Sequence, residues 1–279
     1  MQKYKFITVA IIFLVSIAVF WGIKNALFQN TSDVKIAVSR TQLSAPIYIA
    51  DALGYFENAG LNVELIEKDG GNFCFDLMMN GGADFATSSD SVIMFNGFKQ
   101  NNFENIATFV QSNHDVKVFT KKSSGIKNGN DLKGKKIAIV KGSASEYFLD
   151  MFLAVDGVDY SSVVPIDMPV NEMLSALNQN RVDAIVVWEP FAYKAIKQVG
   201  KEALLLSKSN LYELTFNLLT KKETTLKDSQ TPVKVLNALK QAVEYIHANE
   251  TKAQQIIIDR LGLNQAFIEW IWDDYLYDL

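Results

Sequence analysis

Short segments of alternating apolar and polar positions recur along the chain, with helical spacing between them. Residues 34–38 and 61–66 alternate in this way, which is typical of strands. Residues 45–54 predict a helix, because Pro46 stands in the first turn, where its missing N–H costs nothing, and Gly54 ends the segment. Two strands joined by a helix predict a βαβ unit, so the loops that follow the strands should gather at one edge of a parallel sheet.

The same kind of pattern continues through the next fifty residues. It predicts helices at 72–81 and 91–100, a short strand within 83–90 and a further strand at 106–111. Hydroxyl-rich loops follow two of the predicted strands, at 39–44 and 87–90. These loops therefore fall where an open α/β sheet places its ligand crevice.

One stretch combines a buried strand, a polar turn and the start of a helix. Residues 136–140 are apolar and bounded by glycines, as expected for a strand buried on both faces of a parallel sheet. The turn at 141–145 supplies a glycine and two serines ahead of a predicted helix at 146–155. The free N–H groups and partial positive charge of a helix N-terminus suit an anionic or strongly polar ligand. A serine N-cap on a structural helix explains the same residues, so both interpretations stay open here.

Two extended segments share a Thr-Lys-Lys ending, at 120–122 and at 220–222. Between them lies a complete set of predicted α/β elements, with strands at 136–140, 163–169 and 182–188 and helices at 146–155, 171–180 and 190–199. This arrangement predicts a domain inserted into another domain, entered and left by the two extended segments.

The inserted domain predicts two crossings of the chain between lobes, near Val118 and near Leu218. We expect lobe 1 to consist of residues 34–118 and 219–279, and lobe 2 of residues 119–218. Amphipathic helices predicted at 232–249 and 251–261 would return the chain to lobe 1. This is the topology of a hinge protein, in which a few residues absorb the closing motion.

Composition narrows the class of protein. The chain has 279 residues, of which 49% are hydrophobic, and that is enough for the cores of two modest domains. The net charge of −4 gives no reason to expect a nucleic-acid partner. The single cysteine, Cys74, excludes an intramolecular disulfide and is expected to be a small buried residue. His114 and His247 stand far apart without metal-ligand spacing, so we expect no metal and no cofactor.

The N-terminus predicts export. Lys3 and Lys5 precede an uncharged apolar run at 6–23. The length of this run lies between a signal-peptide core and a membrane span, which needs roughly 17–25 residues. The lysines place the N-terminus inside, and the body of the protein in the periplasm or on the outer face of the cytoplasmic membrane. Residues 1–29 are therefore expected to be a signal peptide or a membrane anchor, and the choice stays open.

Four segments, in this order, carry a family resemblance: residues 45–63, 82–90, 132–143 and 176–190. The chain resembles the extracytoplasmic substrate-binding proteins of ABC importers, in the branch for sulfonates, taurine, nitrate and thiamine-pyrimidine precursors. The resemblance implies an α/β fold of the type 2 periplasmic-binding-protein kind, with two lobes, each a mostly parallel sheet flanked by helices. The segment from Ala266 resembles one that continues further in that family, so Leu279 is expected to be a truncation or a domain boundary.

The resemblance also implies a ligand site at the strand ends. Its residues would be Thr41, Gln42, Ser44, Ser88, Ser89, Asp90, Gly142, Ser143, Ala144, Ser145, Trp188 and Glu189. Three of these residues also have structural explanations: Trp188 as a core side chain, Glu189 as part of a helix start at Pro190, and Asp90 as an N-cap. Arg40 is the one arginine near these positions. No catalytic residue is expected among them.

Together these features predict a solute receptor that closes on a small polar molecule and delivers it, as a monomer, to an ABC permease in the membrane. Hydroxyls and a helix N-terminus favour an anion, whereas Asp90 and Glu189 favour a zwitterion such as an aminosulfonate, or a pyrimidine with an amine. Two alternatives stay open: a membrane-anchored sensory domain, and an enzyme like the thiamine-pyrimidine synthases of the wider family. The export signal and the lack of a recognisable nucleophile–base pair disfavour the enzyme.

Overall fold

The computed structural model describes residues 32–206 and 211–279. The signal peptide or anchor expected at 1–29 lies outside these residues. Across the two described ranges, every helix is too short or too polar to cross a lipid bilayer. The ranges form two mixed β-sheets with helices packed against them, one sheet for each lobe.

The described residues contain eleven strands. In chain order they are β1 (Ser32–Ser39), β2 (Leu61–Lys68), β3 (Phe85–Ser89), β4 (Phe103–Ser112), β5 (Val116–Lys121), β6 (Lys136–Ile139), β7 (Val164–Asp167), β8 (Ala184–Trp188), β9 (Ala203–Leu206), β10 (Leu214–Lys221) and β11 (Leu276–Tyr277). The central strands β3 and β8 are buried along their whole length, because helices cover both faces of each sheet.

The same ranges contain eleven α-helices. They are α1 (Ala45–Ala52), α2 (Tyr55–Asn58), α3 (Gly71–Met79), α4 (Asp90–Gly97), α5 (Ala144–Val155), α6 (Val170–Asn178), α7 (Phe191–Val199), α8 (Lys222–Lys227), α9 (Gln230–Ala248), α10 (Glu250–Leu261) and α11 (Gln265–Ile271). Pro46 lies in the first turn of α1, as its position predicted. Cys74 is fully buried within α3, and burial raises the pKa of its thiol.

The first sheet has six strands in the order β11-β4-β10-β3-β1-β2. Strand β1 pairs in parallel with β2 and with β3, so the predicted βαβ unit is present. Strand β10 enters between β3 and β4 and runs antiparallel to both, and β11 runs antiparallel to β4 at the edge. Because the parallel strands share one direction, the loops that lead into α1, α3 and α4 gather at one edge of the sheet.

The second sheet has five strands in the order β7-β6-β8-β5-β9. Strand β6 pairs in parallel with β7 and β8, whereas β5 runs antiparallel to β8 and β9. The two-lobed α/β fold is confirmed. The sheets are mixed rather than mostly parallel, because β5 and β10, which follow the two crossings, enter their sheets in the opposite direction.

The chain crosses between the sheets twice, at positions slightly different from those predicted. The first crossing lies between Ser112 and Val116, and the second between Leu206 and Leu214. Val118, placed at a crossing by the sequence, lies inside β5 of the second sheet, and Leu218 lies inside β10 of the first. Both residues belong to apolar segments that pair as strands, so each crossing falls in the loop before its strand.

Candidate ligand site between the lobes

A cavity lies between the two lobes, at the edge where the parallel strands end. The first lobe contributes residues at the ends of β1 and β3 and just after β1, β2 and β3: Ser39, Thr41, Leu43, Gly71, Asn72, Ser89 and Val92. The second lobe contributes Ser143, Ala144 and Trp188, and residues next to the crossings complete the wall: Asp115, Leu214 and Phe216. The free space is about 330 Å³ including its mouth. This space suits a ligand of few non-hydrogen atoms.

Three helices begin at this cavity. Helices α3 and α4 start at Gly71 and Asp90 on one side, and α5 starts at Ala144 on the other. The first N–H groups of a helix have no acceptor within the helix, and its N-terminus carries partial positive charge. Three such ends around one space favour an anionic group there.

Three buried polar atoms of the cavity wall have no hydrogen-bond partner within the described part of the chain. They are Thr41 Oγ1, Asn72 Oδ1 and Asp115 Oδ2. Buried polar atoms are nearly always paired, and leaving one unpaired costs about 1–3 kcal/mol. These atoms are therefore candidates for hydrogen bonds to a ligand in the cavity.

The turn before α5 acts partly as a cap and partly as cavity wall. Ser143 Oγ donates to the Val140 carbonyl oxygen at 2.6 Å and accepts from the Ser145 N–H at 3.1 Å. Ser145 Oγ donates to the Val186 carbonyl oxygen at 2.7 Å, so this hydroxyl is directed into the lobe. The Gly142 N–H donates to Glu146 Oε2 at 2.7 Å. Of the four residues predicted in this turn, Ser143 and Ala144 line the cavity, and Gly142 and Ser145 support them.

In the first predicted loop, Thr41 lines the cavity while Gln42 and Ser44 lie behind the wall. Gln42 Nε2 donates to Asp115 Oδ1 at 3.2 Å and makes a short hydrogen bond to the Tyr275 hydroxyl. Ser44 Oγ lies 3.5 Å from the hydroxyl oxygen of Thr87. Gln42 and Ser44 therefore hold neighbouring residues in place.

In the loop after β3, too, one predicted residue lines the cavity and the others contact protein groups. Ser89 lines the cavity, whereas Ser88 Oγ donates to the Gly71 carbonyl oxygen at 3.0 Å. Asp90 accepts a short hydrogen bond from the Tyr212 hydroxyl, and burial raises the pKa of its carboxyl group. Its side chain is thus engaged by a residue near the second crossing. Asp90 is the first residue of α4, and the N-cap position belongs to Ser89.

Trp188 and Glu189, although adjacent in sequence, have different roles in the structure. Trp188 lines the cavity and meets Phe191 edge to face, with ring centroids 6.2 Å apart. Glu189 is fully buried, accepts from Lys117 Nζ at 2.7 Å and accepts from the Tyr193 N–H at 3.0 Å. The structural explanation therefore holds for Glu189, whose carboxylate stabilises the start of α7 and pairs with a lysine.

Arg40 also takes no part in the cavity wall. Its Nε lies 3.3 Å from Glu67 Oε2, and about half of its side chain, 49%, is exposed. The predicted carboxylates and the predicted arginine are therefore all committed to protein partners, and the charged group in the wall is Asp115.

The sequence did not identify three residues of the wall: Gly71 and Asn72, which follow β2, and Asp115 in the first crossing. Gly71 and Asn72 follow a strand of the predicted βαβ unit, so the strand-end rule applied to the other loops would have found them. Asp115 gives a weaker signal, because a lone acid in a short polar crossing resembles any surface turn. The apolar wall residues, such as Leu214 and Phe216, give no signal of a site.

Replacing Gly71 by alanine should destabilise the protein by about 1–2 kcal/mol, as overpacked sites do. A Cβ atom there would lie 2.9 Å from Ser88 Cα, so α3 would have to move away from β3. Gly97→Ala is the matched control, since a Cβ at Gly97 meets nothing within 4 Å and alanine favours a helix. Urea unfolding of both variants measures the difference. Equal stability of the two variants would contradict close packing at Gly71.

The fold and the cavity define a class, the two-lobed binding proteins with a ligand crevice between the lobes. Among solved structures of that class, the alkanesulfonate-binding protein SsuA from Xanthomonas axonopodis pv. citri, bound to MOPS, has a TM-score of 0.76 and 18% identity, covering 88% of this chain and 85% of that one. The periplasmic aliphatic sulphonate binding protein SsuA from Escherichia coli has a TM-score of 0.71 and 18% identity, covering 89% and 86%. These likenesses establish the periplasmic-binding-protein fold.

The chain belongs to the NMT1/THI5-like family, whose model matches residues 42–253. A protein of Bacillus subtilis (strain 168), provisionally named an aliphatic sulfonates-binding protein, is 26% identical over 274 residues, which is 96% of this chain and 81% of the relative. The family and its substrate-binding branch, indicated by the four sequence segments, are confirmed.

Proposed function

We propose that this protein is an extracytoplasmic solute-binding receptor, which captures a small anionic or zwitterionic molecule between its lobes and delivers it to an ABC importer. One observation carries the proposal. The cavity at the facing strand ends combines three helix N-termini with buried polar atoms that have no partner among residues 32–206 and 211–279. A site of this kind stabilises the closed form only when a ligand supplies the missing hydrogen bonds, so ligand binding and closure are coupled.

The relatives support a sulfonate as the acidic group. Two solved structures of this fold and the Bacillus subtilis relative are named for binding sulfonates. Lysine and arginine are absent from the described wall of the cavity, so N–H groups at the helix N-termini would hold the sulfonate oxygens. We place the ligand against Thr41, Asn72, Ser89, Ser143 and Trp188.

A thermal-shift screen tests the proposal directly. The full 279-residue chain, purified in a mild detergent, would be heated with alkanesulfonates, aminosulfonates, aminopyrimidines and nitrate. A ligand at one hundred times its Kd stabilises the folded state by about 2.7 kcal/mol, so a true ligand should raise the Tm by several degrees. An unchanged Tm with every compound at millimolar concentration would refute this ligand class.

The apolar run at 6–23 leaves a choice between a released receptor and one that stays on the membrane. A retained run would also suit a sensory domain read by another membrane protein. The intact mass of the protein extracted from its own cells decides between them. Loss of the first 25–30 residues indicates a cleaved signal, on the length that such peptides have, and an intact Met1 indicates an anchor.

A further inference from the structure

Asp115 is a buried carboxylate in the wall of the cavity, at the first crossing. Its side chain is 1% exposed. One oxygen, Oδ1, accepts from Gln42 Nε2 at 3.2 Å and from the Tyr275 hydroxyl at 2.7 Å. The other oxygen, Oδ2, is buried and has no hydrogen-bond partner in the described residues. Because Asp115 lines the cavity, this unpaired oxygen is available to a ligand there.

The negative charge of Asp115 has no dedicated positive partner. Lys117 is the nearby cation, but its Nζ lies 2.7 Å from Glu189 Oε1 and 4.9 Å from the centroid of the Trp270 ring. The lysine is therefore committed to another buried carboxylate. Burial raises the pKa of Asp115 to about 7, while the Tyr275 hydroxyl and Lys117 lower it. A buried carboxylate of this kind is stabilised best by a cation that also donates a hydrogen bond.

We propose that Asp115 Oδ2 is the subsite for a protonated amine of the ligand. The inference rests on the proposed function and narrows it to zwitterions, with an acidic group at the helix N-termini and an ammonium group at Asp115. A hydroxyl group could satisfy Oδ2 as a donor, but it would leave the buried charge uncompensated. An ammonium group donates a hydrogen bond to Oδ2 and also compensates its negative charge.

Two polar residues give Asp115 its orientation. Gln42 follows β1, and Tyr275 precedes β11, so the first loop and the C-terminal segment converge on Oδ1. The Tyr277 hydroxyl donates to the Gln42 carbonyl oxygen at 3.1 Å and extends the same network. These bonds occupy Oδ1 and leave Oδ2 as the unpaired oxygen of this cavity-lining residue. Gln42 and Tyr275 are positioning residues for this subsite.

The test compares two ligands of nearly equal size. In 2-aminoethanesulfonate an ammonium group stands where propane-1-sulfonate has a methyl group. Calorimetric titration of the full chain at pH 8 should show at least about tenfold tighter binding of the aminosulfonate, as expected for a charge-assisted hydrogen bond. Asp115→Asn should remove this preference. Asp259→Asn, at an exposed position on α10, is the matched control and should keep it.

The pH dependence gives an independent readout on the unmodified protein. The titratable groups that face Asp115 are Lys117, Glu189, Asp274, Tyr275 and Tyr277. An ammonium ligand binds the ionised carboxylate, so its affinity should rise several-fold from pH 5.5 to pH 8. A sulfonate without an amine binds better when Asp115 is protonated, so its affinity should fall over the same range. The His114 ring lies 3.5 Å from Asp274. Repeating the pH profile with His114→Asn tests whether this histidine contributes to the pH dependence.

The outcomes separate this inference from the proposed function. Equal binding of the two sulfonates, or tighter binding of propane-1-sulfonate at pH 8, would overturn the amine subsite and leave the receptor function standing. If the protein binds neither sulfonate, and binds neither aminopyrimidines nor their methyl analogues, the proposed ligand class and the subsite are both overturned. If Asp115→Asn fails to fold, the comparison of the two sulfonates and the pH profile, both measured on the unmodified protein, still test the amine subsite.

Discussion

Replacing Ser143 by aspartate is expected to weaken sulfonate binding at least a hundredfold while the protein stays folded. Ser143 is the N-cap of α5 and lines the cavity. An aspartate at this position adds a negative charge beside the proposed position of the sulfonate group. Two like charges 4 Å apart repel by about 4 kcal/mol at an effective dielectric constant of 20, and each 1.4 kcal/mol changes affinity tenfold.

The fold should tolerate this change because aspartate is also a favourable N-cap. Its carboxylate can accept from the Ser145 N–H, as the Ser143 hydroxyl does. The bond from Ser143 Oγ to the Val140 carbonyl oxygen would be lost, at a cost of about 1 kcal/mol. The free energy of unfolding without ligand should therefore change little compared with the loss of binding.

Ser143→Asn is the matched control, because asparagine caps a helix and can donate to Val140 but carries no charge. Calorimetric titration with the sulfonate that raises the Tm most should show a loss of about tenfold or less for this variant. The difference between the two variants isolates the effect of charge. Equal affinities for Ser143→Asp and the unmodified protein would remove the α5 N-terminus from the site.

The position of the site was predictable because it depends on local patterns. Alternation in residues 34–38 and 61–66 identified strands, and glycine, proline and serine marked the ends of neighbouring helices. Once those strands are parallel, their loops must meet at one edge, and Thr41, Ser89 and Ser143 do line one cavity. Local sequence thus indicates which loops line the cavity between the lobes.

The roles of the charged residues were not predictable, because they depend on distant partners. Asp90 is engaged by Tyr212, which lies 122 positions later. Glu189 pairs with Lys117, 72 positions earlier. The residues next to each carboxylate in the sequence do not show whether it faces the ligand or a distant protein partner.

Asp115 is the opposite case, a residue that the sequence does not mark as part of the site although it lines the cavity. It stands in a polar turn that resembles exposed surface, yet Gln42 and Tyr275, 73 and 160 positions away, surround it. Burial decided by distant segments converts an ordinary turn residue into the charged group of the cavity wall. The sequence predicted a carboxylate in the crevice at Asp90 or Glu189, whereas the carboxylate in the cavity wall is Asp115.

Replacing Lys117 by methionine should destabilise the protein by about 3 kcal/mol, because removal of one partner of a buried ion pair leaves the other charge uncompensated. Glu189 is fully buried, and only 13% of the Lys117 side chain is exposed. After the change, the carboxylate would keep the Tyr193 N–H as a donor but lose the 2.7 Å bond to Nζ. Methionine has an unbranched side chain of similar length, so the volume of the site changes little, although the contact of Nζ with the Trp270 ring is also lost.

The loss of stability should grow with pH. Burial raises the pKa of Glu189 above its ordinary value of 4.5, and Lys117 opposes that shift, so the variant raises it further. A carboxyl group whose pKa is higher in the folded state contributes stability below its unfolded pKa and loses it as pH rises through the folded pKa. Urea unfolding should therefore show a smaller difference from the unmodified protein at pH 5 than at pH 8.

Lys117→Met combined with Glu189→Gln tests the cause. The neutral amide can still accept from the Tyr193 N–H and carries no buried charge, so the double variant should regain part of the lost stability and lose most of the added pH dependence. Lys201→Met, an exposed lysine near β9, controls for loss of a positive charge and should leave stability within about 0.5 kcal/mol. A loss below about 1 kcal/mol for Lys117→Met, equal at both pH values, would mean that water and not Lys117 stabilises Glu189.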